Sequence, residues 1–182
     1  AGHPYAYQGT SEITHFLWVL DEHPEVLDGK ITDALKGTQV ACYYGCHILR
    51  PAPVMNHESG DYPESFERLV RRLGAEPVWF DAGRKCCGFH AQFTSEHDVL
   101  TVTGQIAASA DRAGANLIAT PCPLCQMQLD MYGPEGREAV HSQTDMPVLH
   151  LQQLVGLALG MTRDEVGFNR HVSARRKLKI GG

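Results

Sequence analysis

Apolar residues recur along the chain with two different periods, and the changes between them mark out its elements. Ile13, Phe16, Leu17 and Leu20 fall at i, i+3, i+4 and i+7, the stripe of an amphipathic helix capped by Thr10 or Ser11. A second, short helix near Lys30 to Leu35 ends at Gly37, and Thr38 to Tyr43 (TQVACY) then reads as a short buried strand. Residues 52–60, rich in Pro, Asn, Gly and Ser, read as a loop. Asp61, Pro63 and Glu64 signal a helix start, and Phe66, Leu69, Val70 and Leu73 form its stripe before Gly74. Pro77 to Phe80 is a second strand, and a long helix runs from Thr94 or Ser95 to about Ala113, closed by Gly114. Asn116 to Thr120 is a third strand, Leu124 to Met131 a helix, Pro147 to Leu149 a short fourth strand, and Leu151 to Leu159 the last apolar helix.

Repeated alternation of strand and helix predicts an α/β fold: a small parallel sheet of about four strands with helices on both faces. Right-handed crossovers bring all strand ends to one edge, where ligands bind in such sheets. The segments divide into an N-terminal helical lead-in (1–37), a central domain (38–160) and a C-terminal tail (161–182).

Composition narrows the function classes. The 182 residues are 43% hydrophobic and 20% charged, as in a globular domain, and the net charge of −5 gives no reason to expect nucleic acid. The basic run Arg175-Arg176-Lys177-Leu178-Lys179 reads as a flexible, solvated tail or a dock for an acidic partner subunit. No apolar stretch approaches the ~18 residues of a membrane span. The N-terminus, AGHPYAYQGT, has neither the basic region nor the apolar block of a signal peptide; it lacks Met, and the expectation is a start inside a longer protein or after trimming.

The chemistry lies in the cysteines. All six fall in three groups that follow strand ends: Cys42 and Cys46, the adjacent pair Cys86-Cys87, and Cys122 with Cys125. In TPCPLC, Pro123 takes the first helical position, and sulfurs three residues apart share a helix face. The positive end of that helix favours thiolate over thiol. Two adjacent thiols serve one site only in a loop that folds around it, and Gly88 permits the backbone angles this requires. Cys42, Cys86, Cys87, Cys122 and Cys125 make a set of five. That exceeds the four ligands of structural zinc and suits an iron–sulfur cluster; zinc on three or four of them, or a metal-free dithiol, are the alternatives.

The strings Cys42-Tyr43-Tyr44-Gly45-Cys46-His47, Cys86-Cys87-Gly88 and Thr120-Pro121-Cys122-Pro123-Leu124-Cys125-Gln126-Met127 together resemble the cysteine-rich CCG domain of the heterodisulfide reductase B-subunit and related proteins. The chain is most similar to the C-terminal of the two domains usual in that protein, over roughly residues 5–160. The resemblance implies a non-cubane [4Fe–4S] cluster that reduces or forms disulfides, with Cys42, Cys86, Cys87, Cys122 and Cys125 as ligands. It also implies electrons exchanged with partner iron–sulfur and flavin subunits of a heterodisulfide reductase-like complex. Related domains occur in respiratory dehydrogenase subunits, and some versions bind zinc. The expected location is cytoplasmic, or membrane-associated through partner subunits.

Cys46 falls outside the five-thiol pattern and is the doubtful member. The leaving thiolate of a cleaved disulfide needs a proton, for which His90 is the best-placed candidate and His47 the second. Arg50 and Lys85 flank the cysteine loops as candidate counter-charges, and Phe89, Phe93, Met127 and Met131 read as packing residues shielding the site. No flavin, nicotinamide or quinone motif is visible, so a redox cycle requires another subunit. A competing reading, from another class, is a zinc-holding docking subunit of a respiratory enzyme.

Overall fold

The computed structural model describes Ala6, residues 8–173 and Ile180; the basic run 175–179 lies outside the described residues. Strands β1 (Gln39–Cys42), β2 (Glu76–Val78), β3 (Leu117–Thr120) and β4 (Val148–His150) form one parallel sheet in the order β2-β1-β3-β4. Val40 aligns with Pro77 on one side and Leu117 on the other, and Ile118 aligns with Val148. Pro77, which cannot donate a ladder hydrogen bond, lies in an edge strand, where such a residue is tolerated. All four strands expected from the sequence are present, β3 buried along its whole length and β2 a half-exposed edge strand.

Seven α-helices lie among the described residues: α1 (Phe16–Glu22), α2 (Ala52–Met55), α3 (Ser65–Arg72), α4 (Glu96–Arg112), α5 (Pro123–Met131), α6 (Gly133–Ala139) and α7 (Leu151–Ala158). Side-chain alternation along β1 separates two cores. Val40, Cys42 and Tyr44 face α1, α3 and α7 and pack with Leu17, Phe66 and Leu154. Ala41 and Tyr43 face α4 and α5 and pack with Ile106, Cys125 and Leu129. Each fully buried Leu or Phe contributes about 1.5–3 kcal/mol relative to exposure, so both faces stabilise the sheet.

Three elements differ from the sequence reading. The first helix starts at Phe16, not after Thr10 or Ser11: His15 caps it, its Nδ1 accepting from Leu17 N at 3.1 Å, and Ile13 lies outside it, 94% exposed. Within 52–60, read as loop, Ala52–Met55 turns as a short helix. Helix α6 follows α5 directly and crosses α4 so closely that a Cβ on Gly104 would fall 2.0 Å from the Gly136 carbonyl oxygen.

Segments flanking the sheet pack on it. Arg68 of α3 holds Asp21 of α1 by two hydrogen bonds, of 2.8 and 2.5 Å. Beyond α7, Phe168 is buried, and Asp130 of α5 accepts from Ser173 N (2.9 Å) and Ser173 Oγ (2.7 Å).

Candidate metal centre

Strand β1 ends in a turn, and Cys46 stands in it, its carbonyl accepting from Leu49 N (3.1 Å) and Arg50 N (3.0 Å). The turn is tied to the Gly83 loop, whose carbonyl accepts from Tyr44 N at 2.8 Å. Gly45 adopts φ +72°, and a Cβ there would sit 2.8 Å from Cys125 Sγ. Only glycine lets the chain pass so close to that sulfur.

The vicinal pair is split by its loop. Cys86 is exposed and Cys87 buried. Gly88, at φ +84°, redirects the backbone, and its N–H lies 3.4 Å from Cys86 Sγ. After β3, Thr120 Oγ1 accepts from Cys122 N at 3.3 Å, and Pro123 opens α5 with Cys125 one turn on.

These segments bring five thiols together: Cys46, Cys86, Cys87, Cys122 and Cys125. Cys125 donates towards both Cys122 and Cys87, which raises its own pKa strongly, and burial adds to the effect. Cys122 is pushed down to about 6, by that bond first and then, against burial, by the N–H groups of Cys125 and Leu124, with a smaller pull from His47. Those N–H groups face the sulfur without closing a full cap hydrogen bond. Cys87 is pushed down to about 7, again by Cys125 first, with the Phe89 N–H helping against burial. Cys46 is raised by burial and by its contact with Cys86, and it also feels Cys87 and Cys122. Tyr43 lies among the same thiols, with its hydroxyl donating to the Lys85 carbonyl at 2.7 Å; burial, then Cys125 and Cys87, raise its pKa.

Cys42 is not among them. It is 3% exposed and shares the Val40–Tyr44 face of β1, opposite Tyr43 and the thiol group. Its sulfur lies 3.8 Å from the Val40 carbonyl oxygen, and burial, with Glu67 nearby, raises its pKa well above the ordinary thiol value. The structure thus does not bring Cys42, expected as the fifth thiol, to this group: the period-two geometry of the strand turns it into the other core, whereas Cys46, the doubtful member, lies among the thiols. The period of β1 itself carried this signal, since Cys42 and Tyr44 must share a face.

The two histidines singled out from sequence meet. His47 and His90 stack with ring centroids 5.1 Å apart and planes 23° apart, and both are exposed. Arg50 Nη1 donates to the Arg84 carbonyl at 3.1 Å and braces that loop. Phe89 and Met127 are half-buried, but Phe93 is 98% and Met131 48% exposed, so these last two do not shield the site. A cleft of about 370 Å³ opens beside Cys122, walled by Ile13, His15, Trp18, Ile48 and Met55. It went unrecognised in the sequence because its wall is drawn from segments far apart in the chain.

Among the described residues, no three His, Cys, Asp or Glu side chains converge as a single-ion site requires. Five thiols in one group are one more than a tetrahedral ion takes, and soft sulfur donors of this kind are the ligands that an iron–sulfur group uses. None of the helices is long and apolar enough to cross a membrane among the described residues.

A family model described as a cysteine-rich domain, CCG, matches residues 40–130, half of the chain. The 8-methylmenaquinol:fumarate reductase membrane anchor subunit of Wolinella succinogenes is 46% identical over 95% of this chain and 61% of its own length. The B-subunit of the ferredoxin/F(420)H(2)-dependent CoB-CoM heterodisulfide reductase of Methanosarcina acetivorans is 34% identical over 91% of this chain and 56% of its own. A protein of Archaeoglobus profundus described as like the heterodisulfide reductase B-subunit is 31% identical over 88% and 56%. The chain thus spans less than two thirds of these relatives. A crystal structure of a hypothetical protein from Helicobacter pylori superposes with a TM-score of 0.68, at 12% identity, over 91% of this chain and 30% of that one, a likeness of fold alone.

Proposed function

The chain belongs to the family of cysteine-rich CCG domains, and from that premise we propose that it is a redox subunit of a reductase complex acting on disulfide or thiol substrates. The observation that carries the reading is the convergence of Cys46, Cys86, Cys87, Cys122 and Cys125 at the C-terminal edge of a parallel sheet. These five would hold a non-cubane [4Fe–4S] cluster, with residues 38–160 as the domain that carries it. Bound there, the cluster supplies one-electron chemistry and an iron that accepts a substrate sulfur.

The protein's own side chains do the rest. Cys122 and Cys87, with lowered pKa values, are poised as thiolates, the ligand form of cysteine. Gly45 lets the backbone pass close beside the Cys125 sulfur, and Gly88, at φ +84°, turns the chain after the vicinal pair. His47, whose field is felt at Cys122, and its stacked neighbour His90 would give the proton to a departing thiolate. Electrons would come from iron–sulfur and flavin subunits of a heterodisulfide reductase-like complex, either in the cytoplasm or at a membrane reached through those partners.

A second reading has support in the 46% identity to a fumarate reductase membrane anchor subunit: a docking role in a respiratory complex, with zinc on the thiols. Metal and acid-labile sulfide analysis after oxygen-free purification separates the two. The redox reading expects a brown protein with about four irons per chain; a colourless one with stoichiometric zinc supports the docking role instead.

A further inference from the structure

The cleft beside Cys122 constrains what can reach the thiols. Its volume of about 370 Å³ suits a small organic molecule, and none of the residues lining it is Lys, Arg, Asp or Glu. Trp18 is fixed by stacking on His57, with ring centroids 4.7 Å apart and planes 18° apart. His15 is held as the cap of α1, and burial lowers its pKa, so its ring stays neutral at neutral pH. At the mouth stands Ile13, 94% exposed, an apolar side chain that no internal packing explains. The cations near the cysteine groups in sequence are not in the wall: Arg50 donates to the Arg84 carbonyl, the Arg84 guanidinium lies over the Tyr62 ring, and Lys85 is exposed on the same loop.

We infer that this cleft binds the uncharged, apolar body of an organic thiol or disulfide and discriminates against anionic ones. The inference rests on the proposed reading of the thiol group as a sulfur-handling redox centre. Its physical basis is desolvation: an apolar body gains by leaving water for Ile13, Trp18, Ile48 and Met55, whereas a carboxylate or sulfonate would lose its hydration and find no lysine or arginine in the wall in exchange, His47 being the one other imidazole beside His15 there.

The test is a calorimetric titration of the metal-loaded full chain, kept free of oxygen, with three probes that share one ring. These are phenylmethanethiol, its oxygen isostere phenylmethanol, and the same thiol bearing a para-carboxylate. The expected result is that the neutral thiol binds at least tenfold more tightly than the carboxylate. Ile13→Lys, a substitution at an exposed position that leaves the fold alone, should bring the two within about threefold by supplying the missing cation. Equal binding of the two thiols to the unmodified chain, or no change in their ratio on Ile13→Lys, would overturn the inference. A phenylmethanol affinity equal to that of the neutral thiol would leave the apolar selection standing and overturn the sulfur reading beneath it.

Discussion

Gly45 passes so close to Cys125 that a single added carbon on the glycine would sit 2.8 Å from the sulfur. The backbone there is in the left-handed region, at φ +72°, so two constraints coincide at one residue. Gly45→Ala should cost about 1–2 kcal/mol from the backbone alone and displace Cys125 from its bonds to Cys122 and Cys87. The expected outcome is a modest fall in the urea midpoint with a disproportionate loss of bound metal, read on the same preparation.

The helix that carries Cys122 and Cys125 is clasped at its other end. Asp130, 4% exposed, accepts from the backbone and hydroxyl of Ser173 and lies 3.5 Å from His171 Nδ1. Burial works against the charged carboxylate, yet the bonds from His171 and Ser173 prevail and hold its pKa below the ordinary value. A depressed folded pKa means that this contribution is fully present above the unfolded value of about 3.9 and is lost as the pH falls through the folded one. Asp130→Asn should therefore destabilise by about 1–3 kcal/mol at pH 7, and the gap to the unmodified chain should close below about pH 4. Urea melts of both proteins across that range measure it.

Thiol reactivity offers a separate check on the geometry. In reduced, metal-free protein, Cys122 is held at about 6 by Cys125 and the start of α5, whereas Cys125 is held protonated. Alkylation by iodoacetamide should be fastest at Cys122, with a rate that rises through pH 6 and levels off by neutral pH, because the thiolate is the nucleophile. Cys125 and Cys42 should stay unmodified in the folded state. Mass mapping of the labelled peptides against pH decides the order.

Much of this architecture is written plainly in the chain. The four strands are apolar runs between turn residues, and α4 is bounded by Ser95 and Gly114, so their existence and order follow from local pattern. Helix α6 does not: Gly133, Pro134 and Gly136 signal a break, yet Gly136 is there because Gly104 of α4 packs against its backbone, a demand only the tertiary contact imposes. Ile13 matches the period of α1 but belongs to the wall of the cleft. At the candidate site, chain order alone brings three cysteine groups to one edge. The choice between Cys42 and Cys46 needs the further step of asking which way each strand residue points: Val40, Cys42 and Tyr44 serve one core, Tyr43 the other.

Two serine variants bear on that choice most directly. Cys42→Ser and Cys46→Ser are purified without oxygen and assayed for iron and acid-labile sulfide beside the unmodified chain. Cys46→Ser should lose most of the iron while keeping its fold. Cys42→Ser should keep the iron, at a stability cost of about 1–3 kcal/mol for burying a hydroxyl in an apolar core. Loss of iron from Cys42→Ser with retention in Cys46→Ser would contradict the assignment of the five thiols.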